Sequence, residues 1–263
     1  MSLSLSSKAP PIDIEGVSMR LNRFLSASGY SSRRKGEEII RAGRLEVNGI
    51  VVTDPAKPVD PRTDAVTVDG VRLVITAEKR YYVMNKSTGL IVSHGDTHGR
   101  PTVFDILGPE TKGVFPVGRL DADTSGVLLF SDDGDLTYRL THPSFGVEKV
   151  YRAEVKGHID RSDVQRFKNG VVLDDGPTAP ADMTILKGGK DMSLVEITLH
   201  EGRKRQVRRM FKHIGHPVAT LERVSFGGVT VDGLSLGHYR LLKPGEIERL
   251  KRAVSPCSRG EYE

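Results

Sequence analysis

Two dipeptides in the first third of the chain set narrow limits on its local fold. Asn48-Gly49 and Asp69-Gly70 each interrupt a stretch of apolar and β-branched residues. The flanking runs are Leu45–Val47 and Ile50–Val52 around the first pair, and Val66–Val68 and Val71–Leu73 around the second. Asn-Gly and Asp-Gly are favoured in type I′ turns because both positions need a positive φ. The sequence therefore predicts two antiparallel hairpins.

A helical pattern precedes these hairpins. Leu21, Phe24 and Leu25 have helical spacing, and a second helix with Ile39 and Ile40 on its apolar side follows before the first hairpin. Two helices and two hairpins predict a small α/β module at residues 19–76, joined by a short polar linker to a second domain at residues 80–255.

The second domain has strands and helices in irregular order. The predicted strands are Tyr81–Met84, Val127–Phe130, Tyr151–Val155 and Leu194–Leu199, and the predicted helices are Asp135–Thr141, Arg161–Asn169 and Gln206–Gly215. A doubly wound sheet would alternate them regularly, so this order predicts an α+β fold.

The composition narrows the class of protein. No apolar run approaches the roughly 20 residues of a membrane span. Residues 1–18 lack the features of a signal peptide and are expected to form a disordered leader. The single cysteine, Cys257, excludes an internal disulfide and a cysteine-rich metal site. We therefore expect a cytoplasmic protein that does not bind membranes and is a monomer.

Basic residues are concentrated in two places. The segment 20–44 holds seven basic side chains against two acidic ones, and the segment 201–213 holds six against one. The candidate contacts are Arg20, Arg23, Arg33, Arg34, Lys35 and Arg44 in the first cluster, and Arg203, Lys204, Arg205, Arg209 and Lys212 in the second. With a net charge of only +5, this distribution indicates a polyanion bound at two places. Two solvated helix faces are the alternative.

The second basic cluster lies on a predicted amphipathic helix. Val207, Met210, Phe211 and Ile214 form one apolar stripe that can pack on the core. Arg208 borders this stripe and could reach a buried carboxylate. Arg209 and Lys212 would instead face outward, where a guanidinium suits RNA phosphate.

A carboxylate-rich run follows Pro116. The segment Gly118–Gly126 lies directly before an apolar strand and can hold Asp121 at the mouth of a cleft. An ordinary turn is one alternative. A calcium loop is another, because Asp121, Asp123, Ser125, Gly126 and Asp132 match the ligand spacing of an EF-hand. The segment 94–98 also holds two histidines and an aspartate, which could ligate a metal or form a solvated loop.

Several segments together resemble a known family. They are Gly118-Arg119-Leu120-Asp121-x-x-Thr124-x-Gly126-Val127-Leu128-Leu129 with Asp133-Gly134, Gly99–Asp105, His142-Pro143, Lys149-Val150-Tyr151, and Glu201–Met210. This pattern is similar to that of the RNA pseudouridine synthases, in the RsuA/RluB family that modifies ribosomal RNA. Val127 departs from it, since leucine is usual there. Residues 19–76 resemble the S4-type RNA-binding domain.

The resemblance implies a fold, an activity and residue roles. The fold would be a mixed, mainly antiparallel sheet with flanking helices. Asp121 would be the catalytic aspartate. Tyr151 would be the tyrosine that packs on the flipped base and takes the proton from C5, and Arg208 would be the basic residue that forms an ion pair with the catalytic carboxylate. Arg119 would fill the gap left by the flipped base. Lys86 and Gly89 match a structural motif, and no cofactor or metal is implied.

The resemblance also implies a substrate, ribosomal RNA or an assembling ribosomal subunit. The segments 99–105 and 173–177 look more like those of enzymes that act on large-subunit (23S) RNA, with small-subunit (16S) RNA as the alternative. A non-catalytic RNA-binding assembly factor is a further alternative. The chemistry needs an ionised carboxylate, and a guanidinium beside a buried carboxyl group lowers its pKa. That requirement gives the expected pair of Arg208 and Asp121 a physical purpose.

Overall fold

The computed structural model describes residues 18–75, 78–93 and 95–255. The predicted leader therefore lies outside the described residues except for Ser18, as do Cys257 and His94. The chain divides into two compact units, Met1–Lys79 and Arg80–Glu263. None of the helices in the described ranges is long and apolar enough to cross a membrane.

The N-terminal unit consists of two helices and a small antiparallel sheet. Its elements are β1 (Met19–Arg20), α1 (Leu21–Ala27), α2 (Arg33–Arg41), β2 (Leu45–Val47), β3 (Ile50–Val51), β4 (Pro58–Val59), β5 (Val66–Val68) and β6 (Val71–Leu73). The sheet has the order β3-β2-β5-β6, and β1 pairs separately with β4.

Both predicted hairpins are confirmed. Asn48 and Gly49 have φ values of 54° and 78°, and Asp69 and Gly70 have values of 50° and 80°. Left-handed conformations at both central positions are what a type I′ turn requires. The helices pack over this sheet through buried apolar residues such as Phe24 and Ile40.

The second unit contains the rest of the fold. Its strands are β7 (Tyr81–Lys86), β8 (Phe115–Val117), β9 (Ser125–Ser131), β10 (Lys149–Lys156), β11 (Val172–Leu173), β12 (Gly176–Pro177), β13 (Asp182–Lys187), β14 (Met192–Leu199), β15 (Val218–Phe226) and β16 (Tyr239–Leu241). Its α-helices are α3 (Gly134–Thr141), α4 (Arg161–Asn169), α5 (Gln206–His213) and α6 (Pro244–Ala253), and short 3₁₀ helices occur at Val103–Asp105, Pro109–Thr111 and Pro143–Phe145.

A mixed sheet organises this unit. Its strand order is β13-β14-β10-β15-β9-β7-β16, with β8 also paired to β9. All of the pairings are antiparallel except that of β9 with β15, where Ser125 faces Glu222 and Gly126 faces Arg223. We call this pairing the parallel junction. The expected α+β fold with a mainly antiparallel sheet is confirmed.

Helices cover the sheet and complete two apolar cores. The predicted apolar stripe of α5 is confirmed, since Val207, Met210 and Phe211 are buried. The Phe211 ring packs against Phe167 of α4, with 4.7 Å between the ring centroids. Residues of α3 and α6 pack into a separate core with β7, β8 and β9. A third core contains Tyr82 and Met84 of β7 and Leu128 and Phe130 of β9.

Candidate active site

The loop between β8 and β9 carries Asp121 and is fixed from below by a buried lysine. The Lys86 side chain has no solvent exposure. Its ammonium donates hydrogen bonds to the carbonyls of Asp121 (3.1 Å), Thr124 (2.9 Å) and Ser87 (3.0 Å). Burial lowers the pKa of Lys86 to about 8. These contacts restrict the loop while the Asp121 side chain stays partly accessible.

A glycine allows the loop to enter β9 beside β15. Gly126 has a φ of 98°, which L side chains rarely adopt, and a Cβ atom there would lie 2.2 Å from the Arg223 carbonyl oxygen. Only glycine fits this close approach. Gly126 therefore sets the distance between the loop and the neighbouring strand.

A cavity of about 310 Å³ opens beside the parallel junction. Asp121 lines it from the loop, Tyr151 from β10, and Arg223 from β15. Arg223 pairs in register with Tyr151 on one side and with Gly126 on the other. This register places the loop that carries Asp121 close to Tyr151, so both residues line one cavity. The segment 201–207 forms another wall.

Two further cations, Arg223 and Lys149, line the cavity, and the sequence analysis assigned no role to either of them. The Arg223 side chain is buried, and its Nε donates to the Val127 carbonyl at 2.8 Å. The Lys149 ammonium donates to the Val147 carbonyl at 2.8 Å. Both charges face the Phe226 ring, at 4.9 Å for Arg223 and 5.3 Å for Lys149.

The environment of Lys149 lowers its pKa. Burial and, to a lesser degree, the Arg223 guanidinium lower the pKa of Lys149 to about 8. The sequence could have predicted that Lys149 lies near Tyr151. The two residues are two positions apart in one strand, so their side chains point to the same face. The position of Arg223 follows only from the pairing of β15.

A comparison with models of known protein families matches most of the second unit. A model of the family described as RNA pseudouridylate synthase matches residues 80–213, which is more than half of the chain.

The chain belongs to the RNA pseudouridine synthase family.

Individual relatives of this pseudouridine synthase match most of its length. A protein of Aquifex aeolicus named an uncharacterized RNA pseudouridine synthase is 40% identical over 239 residues, covering 90% of this chain and 96% of that protein. The ribosomal large subunit pseudouridine synthase B of Bacillus subtilis is 39% identical over 234 residues, covering 88% and 95%. A crystal structure of a pseudouridylate synthase superposes with a TM-score of 0.65 at 30% identity, covering 89% of this chain and all of that one. An S4 domain model matches residues 19–66.

The expected ion pair between Arg208 and Asp121 is wrong in this structure. Arg208 donates to the Asp123 backbone carbonyl at 2.6 Å, and its Nε lies 3.2 Å from the Asp123 carboxylate. Asp123 also accepts two hydrogen bonds from Arg205, at 3.0 and 2.8 Å. Arg208 does not line the cavity.

The physical reason is the position of Asp123 in the same turn. Its exposed carboxylate faces the start of α5 and takes both guanidiniums, and the hydrogen bond from Arg205 is the main cause of its lowered pKa. Asp121 makes no ion pair with any residue in the described ranges.

Some predicted RNA contacts are bound to other parts of the synthase. Arg203 donates to the Gly176 carbonyl at 3.1 Å and also to that of Pro177. Arg209 pairs with Asp175 at 2.9 Å. These two arginines attach the segment 201–209 to β12 and to Asp175 in the turn before it. Arg209 was expected to face outward, but it is half-buried and its guanidinium pairs with Asp175.

Other predicted contacts are exposed. Arg119 and Lys204 are exposed at the cavity, and Lys212 is exposed on α5. In the N-terminal unit, Arg20, Arg33, Arg34, Lys35 and Arg44 are exposed and Arg23 is half-buried. Within this set, Lys35 pairs with Glu38 at 2.8 Å, and Arg44 pairs with Asp69. Binding of RNA by any of these residues stays a prediction.

The calcium-loop interpretation is wrong. Ser125 and Gly126 belong to strand β9, whereas an EF-hand loop would lead into a helix. Asp132 lies beyond that strand and pairs with Arg80 at 2.9 Å. Among the residues that the structure describes, no three His, Cys, Asp or Glu side chains are grouped to hold a metal ion. The segment 94–98 is only partly covered by this statement, because His94 lies outside the described residues.

Proposed function

We propose that this enzyme isomerises uridine to pseudouridine in ribosomal RNA of the large subunit, with Asp121 as its catalytic carboxylate. The observation that carries the proposal is the cavity shared by Asp121, Tyr151 and two buried cations. The target base must leave its stack to reach such a cavity, which costs a few kcal/mol and is easiest in loops and bulges.

The cavity offers a place for each part of the flipped nucleotide. Tyr151 is an aromatic surface on which uracil can pack. Asp121 lines the same cavity, where its carboxylate can attack the sugar, attack the ring or remove a sugar proton. In this proposal Arg208 acts as a positioning residue, because it holds the turn through the Asp123 carbonyl and carboxylate.

The reaction breaks the bond between uracil N1 and ribose C1′. The electron pair of that bond stays with the ring, which then carries negative charge. Lys149 and Arg223 are fixed cations where such charge would develop, and fixed charges in a buried site stabilise it without reorganisation. The ring then turns, and C5 bonds to C1′ with an electron pair of the ring, which replaces the broken bond. C5 loses its proton and N1 gains one, so the product ring is neutral. In this proposal the Tyr151 hydroxyl oxygen takes the C5 proton while its own proton passes to solvent, and solvent supplies the proton for N1.

The choice of large-subunit RNA rests on likeness alone. The Bacillus subtilis relative is named for the large ribosomal subunit, and the S4 domain supports RNA binding in a second place. Small-subunit RNA and an assembling subunit are the alternative substrates. A cytoplasmic, monomeric enzyme without cofactor or metal remains part of the proposal. A non-catalytic assembly factor is disfavoured because the site residues are all present.

Release of tritium from C5-labelled uridine tests the activity. Transcripts of large-subunit and small-subunit RNA are each incubated with the wild type, with Asp121→Asn, and with Glu248→Gln as an exposed control on α6. We expect release from large-subunit RNA, loss with Asp121→Asn, and no change with Glu248→Gln. Equal release by Asp121→Asn would remove Asp121 from the chemistry. Release from small-subunit RNA alone would overturn the substrate.

Tyr151→Phe separates the two roles of the tyrosine. The phenyl ring keeps the stacking surface and removes the hydroxyl. If Tyr151 takes the C5 proton, kcat should fall while KM for RNA stays near the wild-type value. An unchanged kcat would leave Tyr151 with a packing role only.

A further inference from the structure

An exposed aromatic cluster lies at the end of α3. Its members are Tyr138, His142 and Phe145. Tyr138 is 57% exposed, and within the described part of the second unit it is the one tyrosine or phenylalanine among the exposed large apolar residues. His142 is also exposed. Because the rings are contiguous, the cluster is a candidate interaction surface.

The cluster is held in a fixed shape. The Tyr138 and His142 rings are 5.0 Å apart and tilted by 39°. The half-buried Phe145 ring meets both nearly edge-on, at 6.2 and 6.3 Å. The backbone N–H of His142 donates to the Tyr138 carbonyl at 2.8 Å. Phe145 packs against the core of α3 and α6, so it supports the two outer rings from below.

The histidine ring is oriented by its neighbour. His142 Nδ1 lies 2.7 Å from the Ser144 hydroxyl and 3.3 Å from the Ser144 backbone nitrogen. A backbone N–H can only donate, so Nδ1 accepts, and the ring proton is on Nε2. A fixed, flat ring with little freedom to lose is well suited to stacking.

The cluster is next to the cavity on two sides. Thr141, the last residue of α3, lines the cavity and lies beside Gly118 of the Asp121 loop. On the other side, the Gly146 carbonyl is 3.0 Å from His200 Nδ1. His200 stands between Leu199 and Glu201, which both line the cavity.

The charge around the cluster fits a polyanion. Arg139 is exposed directly after Tyr138, and Arg119 and Lys204 are exposed at the cavity. Cations that can follow a backbone, combined with aromatic rings that accept any base, are typical of surfaces that bind single-stranded nucleic acid.

We propose that Tyr138 and His142 form a stacking platform for an unpaired base that flanks the target uridine. This inference rests on the proposed function, because it assumes that an RNA nucleotide enters the cavity. The platform would make the enzyme favour uridines in loops and bulges over those in paired stems. It would also compensate part of the cost of unstacking the target.

Tyr138→Leu tests the platform against Tyr138→Phe. Leucine removes the ring, whereas phenylalanine keeps it and loses only the hydroxyl. Base stacking on an aromatic side chain contributes about 1–3 kcal/mol, so Kd for a target stem-loop should rise roughly 5- to 150-fold with leucine. Phenylalanine should bind like the wild type. Leu186→Ala, at an exposed apolar residue on the edge strand β13, should have no effect.

The RNA is changed in parallel. Each protein is titrated with the stem-loop and with copies that lack the base, but keep the ribose and phosphate, at either nucleotide flanking the target. Tyr138→Leu should weaken binding of the complete RNA and have little further effect on one abasic copy. An equal loss of binding on the complete RNA and on both abasic copies would overturn the platform. So would equal affinity of Tyr138→Leu and the wild type.

Two additional measurements distinguish a loss of stacking from a loss of folding. Thermal unfolding shows whether Tyr138→Leu is folded, and His142→Phe, which keeps a flat ring, should bind better than His142→Leu. Binding is measured without turnover, so it is informative even if the wild type releases no tritium. In that case the proposed chemistry fails, while the coupling between Tyr138 and the flanking base still decides the platform.

Discussion

Gly126→Ala should disrupt both the fold and the site through one added methyl group. The new Cβ would lie 2.2 Å from the Arg223 carbonyl oxygen and 2.9 Å from its carbonyl carbon and backbone nitrogen. An ordinary contact needs at least 3.4 Å, so β9 and β15 would have to separate by about 1.2 Å. The neighbouring atoms belong to backbone in the sheet and cannot simply rotate away.

The magnitude follows from two costs. A left-handed conformation costs a residue with a Cβ about 1–2 kcal/mol. Separation of the strands weakens the hydrogen bonds of the parallel junction, at about 1 kcal/mol each. We therefore expect the free energy of unfolding to fall by about 3 kcal/mol or more. At about 2–4 °C per kcal/mol for a domain of this size, Tm should fall by roughly 6–12 °C.

Differential scanning calorimetry and tritium release would measure the two effects. Gly134→Ala is the matched control, because its Cβ would meet nothing within 4 Å and alanine favours the helix it begins. That variant should be as stable as the wild type or more stable. If Gly126→Ala unfolds at the same temperature as Gly134→Ala, the close approach at Arg223 does not constrain the fold as argued.

The other predictions concern charges around the cavity. Asp123→Asn removes the anionic partner of Arg208, whose side chain is only 13% exposed. The free energy of unfolding measured in urea should therefore fall by about 1–2 kcal/mol. An unchanged free energy of unfolding would show that Arg208 does not need this carboxylate. Burial lowers the pKa of Lys86 from 10.5 to about 8, so between these values the unfolded chain binds the proton and the folded protein does not. The stability of the wild type relative to Lys86→Met should therefore rise with pH across that window, by up to about 3 kcal/mol. A difference independent of pH would contradict this. Because no metal is expected in the site, tritium release from a short stem-loop folded in monovalent salt should survive treatment with a chelator; activity lost with EDTA and restored by Mg²⁺ would refute that expectation.

Features set by neighbouring residues could be predicted from the sequence. The two I′ turns depend only on the dipeptides at 48–49 and 69–70. The burial of Phe211 follows from helical spacing alone. The resemblance supplied the candidate residues Asp121 and Tyr151, which the structure places in one cavity, although no spacing rule could have brought together two side chains from separate elements.

Features set by pairing between distant strands could not be predicted. Arg223 reaches the cavity because β15 pairs with both β9 and β10, and its side chain bonds Val127, 96 residues earlier. Arg208 contacts Asp123 and not the expected Asp121, because the side of the tight turn that carries Asp123 faces α5. A sequence pattern fixes that both carboxylates are in the turn but not which of them meets the helix.

The parallel junction divides the proposed chemistry between two stretches of chain. The Asp121 carboxylate comes from the part that ends with β9, whereas the Tyr151 ring, Lys149 and Arg223 come from β10 and β15. Under the proposed mechanism neither stretch contains a complete reaction centre, so catalysis begins only after a contact between distant residues has formed, which is a slow kind of folding event. During refolding, the appearance of tritium release would therefore time the closure of β9 against β15 more directly than a spectroscopic signal averaged over the whole chain.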